Sequence, residues 1–129
     1  MIVPWTVRIT DDQVEINVRI PNPVTYIAQK LLVLKNRRRE DRAKDILYIH
    51  DMLELYGAEL TLLNRTWHES IQPEIGKTAA DVVNLPAQYY AEVTDDIRRA
   101  ARVAGDRDLA PETLRLRCDV GLRTVFETP

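Results

Sequence analysis

From Val14 to Ile20 the chain reads VEINVRI, with Val14, Ile16, Val18 and Ile20 alternating against Glu15, Asn17 and Arg19. That period of two is the pattern of a half-buried strand. A second run, VPWTVRI from Val3 to Ile9, precedes it, and the polar Thr10-Asp11-Asp12-Gln13 between them reads as a hairpin turn. The turn lacks the Asn-Gly type of dipeptide that would fix a register. Two strands alone are marginal in water, and no third strand can be read. Because the first begins within two residues of Met1, the pattern predicts the edge of a sheet whose other strands lie upstream or come from a partner.

After Pro21 the period changes to that of helices. Asn22-Pro23 supplies an N-cap and a proline at the first helical position, and Val24, Ile27, Ala28, Leu31 and Leu34 follow at helical spacing. Asp41 is read as the cap of a second helix carrying Ile46, Ile49, Leu53 and Tyr56, with Gly57 placed to end it. Leu60, Leu63, Trp67 and Ile71 stripe a third, stopped near Pro73. Thr78 and Asp81 suggest the start of a short piece that breaks before Pro86. Tyr90, Ile97, Ala101 and Ala104 mark a long helix ending at Gly105, and Pro111 opens a last one with Leu114, Cys118, Leu122 and Val125 inward. The expected class is therefore α+β, mostly α: a hairpin over about residues 3–20, then about five helices in one domain spanning 1–129.

Composition narrows the chemistry. The chain has 129 residues, 45% hydrophobic and 29% charged, and a formal net charge of −2. That balance gives no global pull towards nucleic acid or anionic membrane, so any anion site must be local. One cysteine and two histidines exclude an internal disulfide and argue against a Cys/His zinc site. No apolar run approaches a membrane span and no signal peptide is visible, which predicts a soluble, cytoplasmic protein. No Gly-rich loop, HExxH, GxSxG or nucleophile–base set is present, so no catalytic residue and no metal ligand is assigned.

The candidate binding chemistry gathers in KNRRREDRAKDILYIHD, Lys35 to Asp51. Arg37, Arg38 and Arg39 fall where the first helix runs out, and a guanidinium fork suits phosphate oxygens. The start of the next helix lies close by and favours an anion through its free N–H groups. Lys30 sits inside the apolar pattern of the first helix; Lys44 and Asp45 point to different sides of the second. Asp45 can reach Lys30 or an arginine if the two helices pack antiparallel. His50 and His68 read as core-edge residues, Asp95 and Asp96 diverge by ~100° on a helix, and Cys118 reads as packing.

The segments NPVTYIAQKLLV, RRR and AKDILYIHDML resemble the second half of nucleotidyltransferase-fold proteins, the group that includes the abortive-infection type IV toxins. In that family a strand leads through a proline into a helix bearing Lys-Leu, then an arginine, then a Lys-Asp or Arg-Asp dipeptide opening the next helix. Here those positions are Lys30-Leu31, the Arg37–Arg39 run and Lys44-Asp45. The likeness covers about Val3 to Tyr56, so residues 1–56 would be the end of the family's sheet with its motif helices, and 57–129 a helical remainder. The resemblance implies nucleotide contacts through Lys30, Arg37, Arg38, Arg39, Lys44 and Asp45. It implies no turnover by this chain alone, because the family's Gly-Ser and paired aspartates are missing and Tyr48 stands where a further acid belongs. Magnesium and a nucleoside triphosphate would enter only if a catalytic half were supplied. The alternative is a protein-interaction module, of antitoxin or regulatory-subunit type, pairing with another chain or a second copy through the hairpin edge or a helical face. RNA binding through the arginine clusters is a third reading, which the near-neutral charge opposes.

Overall fold

The computed structural model describes residues 22–128 in full and, for residues 5–11 and 14–20, the course of the backbone. The expected α+β class is corrected: the fold is all-α. Residues 22–128 are 85% helical and contain no strand, and helices supply the whole described core. The backbones of Trp5–Asp11 and Val14–Ile20 pair antiparallel with each other, but no further strand joins them among the described residues, and the described core is built by helices alone. A helical chain closes its own core without a sheet because each amphipathic helix finds another to cover its apolar stripe.

Among the described residues seven α-helices, not about five, make the bundle. They are α1 (Pro23–Val33), α2 (Arg39–Leu55), α3 (Leu60–Thr66), α4 (Gln72–Ile75), α5 (Thr78–Tyr90), α6 (Asp95–Val103) and α7 (Pro111–Phe126). The start of α1 is the one predicted: Asn22 Oδ1 accepts a hydrogen bond from the Val24 N–H at 2.8 Å, and Pro23 opens the helix. A 3-10 turn, Leu34–Asn36, leads into α2, which begins at Arg39, so Asp41 lies in its first turn and is not its cap.

Three further boundaries differ from the sequence reading, each for a local reason. The third helix does not stop at Pro73. Trp67–Ile71 winds as a π-turn in which the Gln72 N–H reaches Trp67 O, and α4 follows with Pro73 in its first turn, where a missing N–H is harmless. Helix α5 passes through Pro86; burial of Val82 and Pro86, on an element that packs on α7, outweighs the one backbone bond that proline forfeits. The long helix expected from Tyr90 to Gly105 is two, because Thr94 Oγ1 accepts from the Ile97 N–H at 3.2 Å and caps a separate α6.

The core is continuous. Helix α2 lies along α6 and α7, α7 also covers α3 and α5, and α1 packs on α5 and α2. Trp67 and Phe126 meet edge to face, centroids 4.8 Å apart. Gly121 lets α7 approach α2: a Cβ there would stand 3.0 Å from a methyl of the buried Leu53.

Candidate functional site at the α1–α2 corner

Residues of the RRRED run and its surroundings assemble around one carboxylate. Asp45, on α2, is 1% exposed. Its Oδ1 accepts from Lys30 Nζ on α1 at 3.0 Å, and its Oδ2 accepts from Arg37 Nε in the connection at 2.8 Å. These contacts need α1 and α2 to run back along one another, which the short connection permits. A carboxylate so buried requires compensation, and here two cations share one anion, so the group keeps a surplus positive charge.

Lys30 is held on more than one side. Its ammonium lies 5.5 Å from the ring centroids of both Tyr26 and Tyr48, within the range of cation–π attraction. Tyr26 is one turn before Lys30 on the same helix face, and Tyr48 is close to one turn after Asp45 on α2. The Lys30 side chain is 26% exposed and the Arg37 side chain 41%. The remaining cations of the stretch, Lys35, Arg38, Arg39 and Lys44, are exposed. Arg42, next along, donates from Nε to Asp96 of α6 at 2.9 Å and ties the corner to the rest of the bundle.

The six residues singled out from the sequence therefore divide. Lys30, Arg37 and Asp45 come together as a built triad; Arg38, Arg39 and Lys44 stand exposed around it. Sequence reasoning passed over Tyr26 and Tyr48 as ring partners of Lys30, although the spacing Tyr26/Lys30, four residues, and Asp45/Tyr48, three, place each ring on the helix face of a residue that meets in the Lys30–Asp45 pair. In the first turn of α2, Glu40 and Asp41 already complement the helix dipole, which leaves anion contact to the side chains.

A second polar cluster lies further down α2. His50 is buried, with Nδ1 3.0 Å from Asp51 Oδ1, and Arg107 Nη1 donates to the same oxygen at 2.8 Å. Burial alone would raise the Asp51 carboxyl; the hydrogen bonds and charges of Arg107 and His50 outweigh it and hold the group below its ordinary range. With Glu54, Leu55, Leu109 and Arg117 these residues line an open groove, in which acids and arginines largely answer one another. His68 sits in the π-turn and reaches Gln72 Oε1 at 2.9 Å and the Glu127 carbonyl at 3.0 Å. With Asn64, which donates to the Val125 and Glu127 carbonyls, it fastens the end of α7. Asp95 and Asp96 diverge, one to Arg98 and the other to Arg42. Among the described residues no group of three or more His, Cys, Asp or Glu is arranged to hold a metal ion, and no helix is long and apolar enough to cross a membrane.

No family model, curated protein or solved structure matches the chain.

Proposed function

We propose that the α1–α2 corner is a contact surface for the phosphates of a nucleotide, and that the chain contributes binding and not transfer chemistry. In this reading Arg38, Arg39 and Lys44 meet the phosphate oxygens, while Lys30, Asp45 and Arg37 hold the corner in shape. The observation that carries the reading is the Asp45 triad: a buried carboxylate anchored by two cations, with a surplus positive charge and exposed arginines at its edge. Arg38 and Arg39 are carried on backbone next to the anchored Arg37, so less chain has to be ordered when they meet phosphate than on a loose loop. The resemblance of Lys30-Leu31, the arginine run and Lys44-Asp45 to the nucleotidyltransferase motif helices supports the same assignment, and the missing Gly-Ser and paired aspartates are why no turnover is proposed.

Calorimetric titration of the full chain with magnesium nucleoside triphosphate tests it. The expected result is weak binding that falls as salt rises and drops about tenfold for each of Arg38→Ala and Arg39→Ala, the scale of one charged hydrogen bond. Binding unchanged in both variants would assign the nucleotide elsewhere, and nucleotide turnover abolished by Lys30→Ala would overturn the non-catalytic part.

A further inference from the structure

We infer that the corner takes a nucleotide by its base as well as its phosphates, with Tyr48 as the stacking platform. This inference rests on the phosphate reading above. Tyr48 is a large aromatic residue left 44% exposed on a helix whose neighbouring positions, Ile46, Leu47 and Ile49, are all buried. Its ring is not loose: the Lys30 ammonium stands 5.5 Å from its centroid, and that ammonium is itself fixed by Asp45 at 3.0 Å and by the ring of Tyr26. Lys44, also exposed, precedes Tyr48 by four residues and so shares its face of α2.

A positioned ring flanked by cations is the combination that recognises bases on a phosphate chain. Every nucleobase has a π-face, stacking on an aromatic side chain is sequence-tolerant, and neighbouring cations track the phosphates. The ligand class that fits is a nucleotide with its base attached, and the site should accept purines and pyrimidines alike.

The test compares magnesium ATP with magnesium tripolyphosphate on the full chain, using wild type, Tyr48→Ala and Tyr48→Phe. Tripolyphosphate carries more charge than the nucleotide's triphosphate, so attraction by charge alone makes it the tighter ligand. The expected result is the reverse: ATP binds more tightly, Tyr48→Ala weakens ATP about tenfold or more without changing tripolyphosphate, and Tyr48→Phe, which keeps the ring, behaves as wild type. If both ligands bind and Tyr48→Ala alters neither, the stacking inference is overturned and the phosphate reading stands. If neither ligand binds wild type, the phosphate reading fails and takes the inference with it.

Discussion

Lys30 and Asp45, fifteen residues apart, meet at 3.0 Å across the α1–α2 packing, and Arg37 closes on the other carboxylate oxygen. The relationship is asymmetric. Both cations retain access to water, whereas the carboxylate has almost none. Removing one cation therefore leaves a partner for Asp45; removing both strands a buried charge.

That asymmetry predicts non-additive losses. Lys30→Met and Arg37→Met should each lower stability by about 1–2 kcal/mol, while the double variant approaches the ~3–5 kcal/mol of an uncompensated buried charge. Adding Asp45→Leu to the double variant should recover most of that loss. Urea unfolding of wild type and the four variants checks the series, and strictly additive single effects would count against the shared-carboxylate description.

The cap of α1 positions Lys30 at a distance. Asn22 is fully buried and its side chain satisfies the Val24 N–H, so Asn22→Ala should cost about 1 kcal/mol. Asn22→Asp, which keeps the acceptor, should cost less than Ala if capping is the main role of the side chain. Equal losses in the two variants would point to burial of the amide as the larger effect.

Asp51 predicts a pH dependence with a definite sign. Its folded pKa is lowered from the ordinary 3.8, so its contribution is complete above the unfolded value and is lost as pH falls through the folded one. The stability it adds therefore survives mild acid and disappears only below the usual aspartate range. Arg107→Ala should move the Asp51 carboxyl upward, read from its carboxyl carbon shift in an NMR titration; an unmoved titration would remove Arg107 from the account.

Cys118 should be silent in the native protein. Its thiol is buried on the inner face of α7, and burial pushes its pKa far above the ordinary 9.0, leaving no thiolate to react. A thiol reagent at pH 8 should label it only in denaturant, or at the rate of global opening. Rapid native labelling would mean that α7 opens locally.

The sequence carried the helices better than their ends. Where a start signal and an apolar stripe agree, as with the cap and proline at Asn22-Pro23 and the proline at Pro111, start and inward face were both legible. Pro73 and Pro86 misled because a proline is a local signal, whereas the packing of α5 on α7 and the π-turn at Trp67–Ile71 are settled by contacts made elsewhere in the chain. The α+β class failed for a related reason: alternation over Val14–Ile20 describes a strand's faces but not what, if anything, covers them. In the candidate site, the reach of Asp45 to Lys30 or an arginine could be read from helix spacing plus a short connection. Which arginine would be drawn in could not, since Arg37, Arg38 and Arg39 are equivalent until the 3-10 turn at Leu34–Asn36 orients them.

The central claim is that nucleotide phosphates meet the protein at the α1–α2 corner, and backbone amide shifts in an NMR titration with magnesium ATP test it most directly. The account predicts shifts concentrated over residues 35–48, with Arg38, Arg39, Lys44 and Tyr48 among the largest, and their loss in an Arg38→Ala/Arg39→Ala variant that remains folded. Shifts centred instead on the His50–Asp51–Arg107 groove, or no shifts at millimolar nucleotide, would contradict it.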